Sequence, residues 1–279
     1  MTRAIRSVLE VAMGYDAIIL DQWGVLHDGS EPYPGAVTAL EALRSAGAQL
    51  AVLSNSGKRA SENETRIAAM GFPPGLFNVV MTSGEALWLD VRSGRVPERR
   101  YFAVERVQGD ADTWAGGLDV TICDVPEAAE AILIMGLPES AAAEDWQDVL
   151  DHAMTANLTV YCSNPDRASP RSGDCNTLAP GALAHMHKEN GGNVVFYGKP
   201  HLHVFEAMER SLGGPRRLMV GDSLEHDIAG AHGAGWDSVF VQGGLLRQNF
   251  TAGDAADTLA RLCAVEGVRA PTYRMELLA

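Results

Sequence analysis

The sequence predicts an α/β protein built on a doubly wound parallel sheet, with a second α/β domain inserted into the first. Short apolar strand patterns alternate with amphipathic helix patterns in the first 85 residues and again in the last third of the chain. Strands separated by helices at this spacing are typical of parallel βαβ crossovers. The residues in between also contain strand and helix patterns, but in a different arrangement. We therefore predict a core domain of residues 1–84 and 194–279 and an inserted domain of residues 85–193.

The predicted core contains strand and helix patterns in alternation. Its N-terminal part has strands at 17–20 (AIIL) and 49–55 (QLAVLSN), helices at 35–47 and 61–71, and a strand–helix unit at 78–91, where Ser83 is placed to cap the helix. The helix at 35–47 places Val37, Leu40 and Leu43 on one face, and Gly47 ends it. The C-terminal part has a strand and loop at 194–200, a helix at 203–213, a strand and loop at 217–223, and a strand at 238–244.

The inserted segment has an α/β pattern of its own. Its strand patterns are RYFAVE, VTICD, AILIMG and LTVYCSN, and its helical segments lie near 127–131, 141–156 and 179–190. Both crossings between the two predicted domains lie near the ends of core strands. Because few backbone connections would have to bend there, the insertion is a natural hinge.

The charge balance argues against two classes of partner. The chain has 22 Lys and Arg against 36 Asp and Glu, a net charge of −14. Nucleic acid and anionic membranes both demand a basic surface, so we expect neither as a partner. No stretch approaches the ~18 uncharged residues of a membrane span. Glu10 and Asp16 interrupt the apolar run near the N-terminus, which argues against a signal peptide. The four cysteines form no CxxC pair, which favours reduced thiols in a cytoplasmic protein.

Polar side chains follow the strand patterns of the predicted core where those patterns end. They are Asp21, Ser54 with Asn55, Lys199, and Asp222 with Asp227. The carboxyl ends of the strands in an open parallel sheet meet at one crevice, so these residues would meet there although they are far apart in sequence. The sequence therefore predicts one polar site.

The residue types at this predicted site suit phosphoryl transfer. A carboxylate at a strand end, such as Asp21, can attack phosphorus and form an aspartyl-phosphate. Two acidic residues from separate strands suit Mg²⁺, which prefers few carboxylates together with water and substrate oxygens. Lys199 would neutralise both a phosphate and the nucleophile. Ser54 would add a hydroxyl and neighbouring backbone amides to phosphate binding.

Four segments, in this order, resemble the four motifs of the haloacid dehalogenase (HAD) superfamily: DQWGVL (21–26), LSN (53–55), GKP (198–200) and GDSLEHD (221–227). The insertion between the second and third, with CSNPD at 162–166, resembles the class IIA cap of NagD-like sugar and nucleotide phosphatases. The resemblance implies a Rossmann-like HAD core with a C2-type cap and a hydrolase that takes a small phosphorylated metabolite. It also leaves a homodimer open, because cap domains of this type often mediate dimers.

The resemblance implies roles for the residues that bind phosphate. Asp21 is the nucleophile, and Lys199 binds phosphate and orients Asp21. Ser54 is a phosphate ligand, and Asn55 supports it. The cap of such phosphatases closes over the substrate, so the loop at 164–166 is expected to face the site.

The resemblance also implies a Mg²⁺ site. Its ligands would be the carboxylates of Asp21 and Asp222 and the backbone carbonyl of Trp23, which needs no particular side chain. Asp227 would lie behind these ligands and hold a water on the ion.

Position 23 departs from the pattern that the resemblance implies. HAD phosphatases carry a second aspartate two residues after the nucleophile, which protonates the leaving alcohol and then activates water, whereas this chain has Trp23. General acid–base catalysis typically contributes about 10²–10⁴-fold. Three explanations stay open: the proton comes from His27, Asp28 or His226; the protein is a slow or specialised phosphotransferase; or it binds a phosphorylated ligand without turnover.

Haloalkanoate dehalogenases also lack the second acid, but they need no metal. Asp21, Asp222 and Asp227 at one crevice would repel one another without a cation among them, which disfavours a dehalogenase. The sequence therefore predicts a Mg²⁺-dependent phosphomonoester hydrolase that acts through an aspartyl-phosphate on Asp21. The alternative is a catalytically weak or inactive HAD-like protein that binds a phosphorylated metabolite.

Overall fold

Strands and helices alternate along the chain in the computed structural model, which describes residues 2–170 and 176–278. The strands in these residues are β1 (Arg3–Ala4), β2 (Ala17–Leu20), β3 (Gln49–Ser54), β4 (Val79–Thr82), β5 (Arg100–Val104), β6 (Thr121–Ile122), β7 (Ala131–Ile134), β8 (Thr159–Cys162), β9 (Ala168–Pro170), β10 (Asn176–Leu178), β11 (Val194–Phe196), β12 (Arg217–Gly221), β13 (Asp237–Val241) and β14 (Tyr273–Met275). The α-helices are α1 (Ala36–Ser45), α2 (Ala60–Ala69), α3 (Ser83–Arg92), α4 (Asp110–Ala115), α5 (Gln147–Thr155), α6 (Pro180–Glu189), α7 (Leu202–Ser211), α8 (Ala229–Gly233) and α9 (Ala255–Glu266).

The larger sheet has seven strands in the order β1–β14–β13–β12–β2–β3–β4. The strand pairs from β1 to β3 are parallel, which confirms the predicted fold class. All four apolar residues of β2 are buried, as expected for a parallel strand covered on both faces. Leu20 at the end of β2 pairs with Val52 of β3 on one side and Val220 of β12 on the other. This register brings the ends of three strands to one edge of the sheet.

The smaller sheet has five strands in the order β11–β8–β7–β5–β6, and all of its pairs are parallel. Its apolar core includes Val104, Ile132 and Val160 from three strands and Leu183 from α6. Strands β9 and β10 form a separate antiparallel pair. The segment predicted as an insertion therefore has a hydrophobic core of its own.

One strand lies in a different sheet from the predicted one. The pattern at 194–200 predicts a core strand that leads to Lys199, but β11 pairs with β8 of the smaller sheet, with Val194 opposite Val160 and Phe196 opposite Cys162. The prediction that Lys199 follows a core strand is therefore wrong. A short apolar strand fits the edge of either sheet, and its partner is set by residues distant in sequence.

Contacts within the chain define two units. The first contains the residues up to Ser54, Ser61–Met81, and the residues from Lys199 onward. The second contains Asn55–Ala60 and Thr82–Gly198. Within the second unit, the short stretch Asn55–Ala60 contacts the start of α3, where the N–H of Gly84 donates to the carbonyl of Ser56 at 3.0 Å. The chain therefore changes unit directly after Ser54 and directly before Lys199.

The helices are short, and the longest, α9, has 12 residues. No helix in the described part of the chain is both long and apolar enough to cross a membrane. Helix α3 begins as predicted near residue 83, but Thr82 caps it and not Ser83, since the Thr82 hydroxyl accepts the N–H of Glu85 at 2.9 Å.

Candidate active site

The ends of neighbouring strands place three predicted site residues at one edge of the larger sheet. Asp21 directly follows β2, and its N–H donates to the carbonyl of Val220 in β12 at 2.9 Å. Ser54 is the last residue of β3, and Asp222 directly follows β12. Since β2 lies between β3 and β12, the predicted convergence of these residues is reproduced by the strand order.

Lys199 forms the centre of a buried ion-pair network. Its Nζ donates to Asp21 Oδ1 at 2.6 Å and to Asp227 Oδ1 at 2.8 Å, and its side chain is 3% exposed. Burial disfavours the charge, but attraction to the two carboxylates outweighs it and raises the pKa of Lys199. The lysine is therefore a permanent cation in contact with the Asp21 carboxylate, and its role in orienting Asp21 stays a prediction.

Asp227 and Asp222 have different surroundings. The buried Asp227 accepts the N–H groups of Asp222 and Ser223 at 3.1 Å each through Oδ2, while its Oδ1 accepts from Lys199. Asp222 accepts the N–H of Leu245 through Oδ2 at 2.6 Å. In the described residues, no hydrogen-bond donor contacts Asp222 Oδ1. Asp227 thus fixes the turn after β12, while Asp222 keeps one oxygen for a cation.

Two glycines allow the backbone to pass close to Asp222. A Cβ on Gly24 would lie 1.8 Å from Asp222 Oδ2, and a Cβ on Gly244 would lie 2.2 Å from the same atom. Gly24 also has a φ of +85°, in the left-handed region that favours glycine. Gly244 and Leu245 were not predicted as part of the site. The sequence signal for them is the pair of glycines that closes the strand pattern predicted at 238–244, just after β13, which lies beside β12.

The charges at this site fit a divalent cation. One oxygen of each of Asp21, Asp222 and Asp227 lies within 4.8 Å of the others, and Lys199 compensates only one of the three charges. Burial raises the pKa of Asp21 to about 6, with Lys199 lowering it and Asp227 raising it. Burial, and then repulsion from Asp21 and Asp227, raise the pKa of Asp222. A cation bound to Asp21 and Asp222 would remove this excess negative charge.

The two residues predicted to bind phosphate after β3 fall on either side of a unit boundary. Ser54 is half-buried and belongs to the first unit, and Asn55 is buried and belongs to the second. The Asn55 side-chain amide donates to Asp166 Oδ1 at 2.7 Å. Asn55 is therefore bound to the loop at 164–166, a contact that the sequence did not predict.

Trp23 lies in a hydrogen-bonded loop directly after Asp21. The N–H of Gly24 donates to the carbonyl of His27 at 3.1 Å. Trp23 is 40% exposed, and a Cβ on Gly29 would lie 3.2 Å from its Nε1. One edge of the indole therefore packs on Gly29, and a large part of the ring stays accessible.

His27 has the wrong surroundings for a proton donor. It is buried, and its Nδ1 accepts the N–H of Gly29 at 3.1 Å, so the neutral ring carries its proton on Nε2. Nε2 is buried without a partner in the described residues. Burial, followed by repulsion from Arg66, lowers the pKa of His27 to about 4. At neutral pH His27 is an uncharged, enclosed imidazole.

The other two suggested donors differ from each other. Asp28 accepts three hydrogen bonds from Ser30 and Glu31, which lower its pKa to about 2, so it is an anion at neutral pH and has no proton to give. His226 is half-buried on the turn after β12, where its N–H donates to Ser223 Oγ at 3.2 Å. Among the three suggested donors, His226 is the one whose surroundings do not argue against the role.

We predict that His27 makes the protein sensitive to acid. Its folded-state pKa is depressed, so its neutral form stabilises the fold above pH 6.5, and this contribution is lost as pH falls from 6.5 to about 4, by at most ~3 kcal/mol. Urea unfolding at several pH values should give a smaller pH dependence for His27→Asn, whose Oδ1 can still accept from Gly29. His152→Asn on α5 is the matched control. An unchanged pH dependence in His27→Asn would contradict the prediction.

Two family models match the chain, and both describe HAD hydrolases. A model described as haloacid dehalogenase-like hydrolase matches residues 18–106, and one described as HAD-hydrolase-like matches residues 196–261. Together they cover more than half of the chain. These segments contain the site residues from Asp21 to Asn55 and from Lys199 to Asp227.

Two relatives align with nearly the whole of this chain. Human chronophin is 27% identical over 99% of this chain and 94% of its own length. D-glycerol 3-phosphate phosphatase of Mycobacterium tuberculosis is 28% identical over 94% of this chain and 70% of its own length. The similarity therefore includes the segment between the two family matches.

Solved structures agree with this assignment. A haloacid dehalogenase-like hydrolase from Brucella suis covers 99% of this chain at 26% identity, with all of its own chain covered and a TM-score of 0.80. NagD from E. coli covers 94% of this chain, with 96% of its own chain covered, a TM-score of 0.71 and 22% identity, which is evidence for the fold alone. The chain thus belongs to the haloacid dehalogenase-like hydrolases.

Proposed function

We propose that this hydrolase is a Mg²⁺-dependent phosphomonoesterase that acts on a small phosphorylated metabolite through Asp21. The observation that carries the proposal is the buried network in which Lys199 Nζ contacts both Asp21 and Asp227, with Asp222 close by. The network holds a carboxylate beside a fixed cation and beside oxygens suited to a metal. The phosphatase name of the Mycobacterium tuberculosis relative supports the same reaction class.

The proposed reaction has two displacement steps. A carboxylate oxygen of Asp21 attacks phosphorus, and the bond from phosphorus to the ester oxygen breaks with its electron pair on that oxygen. The leaving oxygen takes a proton from solvent or from His226. Water then attacks the aspartyl-phosphate, which releases inorganic phosphate and regenerates the carboxylate. One water is consumed for each alcohol and phosphate formed.

The chain's own residues prepare Asp21 for this attack. Lys199 opposes the effect of burial on the Asp21 pKa, so that the carboxylate is largely ionised at neutral pH. Asp227 keeps the Lys199 ammonium in place, and Ser54 supplies a hydroxyl at the end of β3 for a phosphate oxygen. Asp21, Asp222 and the Trp23 carbonyl would hold Mg²⁺, which would draw charge from the phosphate oxygens when bound.

Metal removal tests the proposed function. Release of phosphate from 4-nitrophenyl phosphate and glycerol 3-phosphate should require Mg²⁺, stop in EDTA and return when Mg²⁺ is added in excess. A rate that is equal in EDTA and in Mg²⁺ would contradict the metal dependence. No release from any member of a panel of phosphate monoesters, with Mg²⁺ present, would contradict the proposed function.

Metal binding can be measured without turnover. Mg²⁺ binds the folded site and not the unfolded chain, so saturating Mg²⁺ should raise the melting temperature by about 4 °C or more. Asp222→Asn should remove this rise. Asp119→Asn is the matched control, because Asp119 is an exposed carboxylate in the second unit.

The cytoplasmic location and the homodimer remain predictions from the sequence. Binding without turnover, the alternative predicted from Trp23, gains no support from the relatives. We therefore do not propose it as a second function.

A further inference from the structure

We propose that Asp166 is a positioning residue for phosphate binding, acting on the two chain segments that carry Ser54 and Lys199. The proposal rests on the proposed function for the identity of these phosphate-binding residues. Asp166 lies in the second unit, as do Asn55 and Gly198. Asn55 follows Ser54 directly, and Gly198 directly precedes Lys199.

The first link is the side-chain contact between Asp166 and Asn55. The distance from Asn55 Nδ2 to Asp166 Oδ1 is 2.7 Å, short for a neutral amide and typical of a charge-assisted hydrogen bond. Asn55 is only 9% exposed, so competition from solvent is weak. The bond restrains the backbone directly after Ser54, the last residue of β3.

The second link is the packing of Gly198 on the same turn. A Cβ on Gly198 would lie 2.2 Å from Pro165 Cδ and 2.8 Å from Asn55 Oδ1. Only a glycine lets the chain pass this close to the turn. The backbone directly before Lys199 is thereby restrained by Pro165 and Asn55 together.

The turn that makes both contacts is itself fixed. The N–H of Asp166 donates to Asn164 Oδ1 at 3.2 Å, and its carbonyl accepts the N–H of Gly181 in the first turn of α6 at 3.0 Å. A Cβ on Gly181 would lie 2.1 Å from the carbonyl oxygen of Pro165, so the helix lies directly against the turn. Asp166 therefore connects a rigid helix to two segments that are 143 positions apart, from residue 55 to residue 198.

The expected consequence concerns phosphate affinity more than stability. Ser54 and Lys199 must hold their separation to bind one phosphate, and small displacements of binding groups cost large factors in rate. Removing the Asp166 carboxylate removes its hydrogen bond to Asn55 and weakens the restraint on both segments. The fold should persist, because the apolar cores of the two sheets are untouched.

Isothermal titration with inorganic phosphate in the presence of Mg²⁺ tests this inference directly. Asp166→Ala should weaken phosphate binding by about tenfold or more, with a melting temperature close to that of the wild type. Asp166→Asn should lose at most about threefold, because its amide oxygen can still accept from Asn55 Nδ2. Asp145→Ala is the matched control: it removes a carboxylate of the second unit that accepts the N–H of Ala142, and it should bind phosphate normally.

Exchanging the two side chains of the Asn55–Asp166 pair distinguishes a positioning role of Asp166 from a general loss of structure. Asn55→Asp alone places two carboxylates together and should bind phosphate poorly. Asn55→Asp combined with Asp166→Asn reverses donor and acceptor at constant net charge and should bind at least about fivefold better than Asn55→Asp alone. Failure of this rescue, or normal phosphate binding by Asp166→Ala, would overturn the proposal.

The titration also keeps this proposal distinct from the proposed function. A wild-type protein that binds phosphate but hydrolyses no ester would contradict the phosphatase assignment, while the variants would still test Asp166. A wild-type protein that hydrolyses esters while Asp166→Ala keeps full phosphate affinity and full kcat/KM would contradict only the role of Asp166. A wild-type protein without phosphate affinity would overturn the role of Asp166 in phosphate binding, while the release of phosphate from esters would still decide the phosphatase assignment.

Discussion

Asp21→Asn is expected to abolish Mg²⁺-dependent phosphate release, with a loss on the order of 10³-fold or more. An amide oxygen is a poor nucleophile towards phosphorus and cannot form the aspartyl-phosphate. The substitution keeps the shape of the side chain, so Lys199 can still contact the residue at position 21 and the carboxylate of Asp227. The fold and phosphate binding should therefore survive while turnover is lost.

The matched control lies at the other end of the same strand. Asp16 precedes β2 and forms an ion pair with Arg216 at 2.9 Å, on the opposite edge of the sheet from Asp21. Asp16→Asn makes the same chemical change and should leave kcat/KM within about threefold of the wild type, since surface ion pairs contribute little. Asp21→Asn retaining a tenth or more of the wild-type rate would mean that the nucleophile is another group.

The larger sheet could be predicted from the sequence because most of its strands are each indicated by a pattern within a few consecutive residues. β2 reads AIIL, an uninterrupted apolar run that suits a strand buried on both faces. The polar residue that follows this run is Asp21, the predicted nucleophile. The same rule placed Ser54 and Asp222 correctly, since both lie where a strand pattern stops. Strand ends in a parallel sheet converge whatever residues form the helices between them.

The membership of β11 could not be predicted in the same way. The strand pattern at Val194–Phe196 was recognised correctly. These three residues do not specify, however, whether β8 or a strand of the larger sheet is the partner. The side chains of β8 and the covering helix α6 decide the pairing. Lys199 still forms its predicted ion pair with Asp21, although the strand before it belongs to the smaller sheet. A long side chain can make this contact whichever sheet that strand joins.

The contacts of Asn55 and His27 depend on tertiary structure for a similar reason. Asn55 and Asp166 are 111 positions apart, and neither belongs to a periodic pattern that would indicate its partner. His27 follows an apolar pair in a loop, and the sequence alone left it open as a proton donor. Its burial and lowered pKa arise from packing near Arg66, which lies on α2.

Trp23→Asp is the substitution from which we expect a gain of activity. A carboxyl group two residues after Asp21 could protonate a leaving alcohol and then activate water, a contribution of about 10²–10⁴-fold. The gain should appear with glycerol 3-phosphate, whose alkoxide is a poor leaving group. It should be smaller with 4-nitrophenyl phosphate, because nitrophenolate leaves without a proton and only the activation of water can then benefit.

Trp23→Asn is the matched control for the loss of the indole, because it has the size of aspartate without an acid. Trp23 is 40% exposed and packs by one edge on Gly29, so both variants should fold, and their melting temperatures should be similar. A gain in Trp23→Asp alone, larger with the alkyl ester, identifies the missing acid as the limit on turnover. Equal rates in the two variants would contradict this and point to a donor elsewhere, with His226→Gln as the next variant to measure.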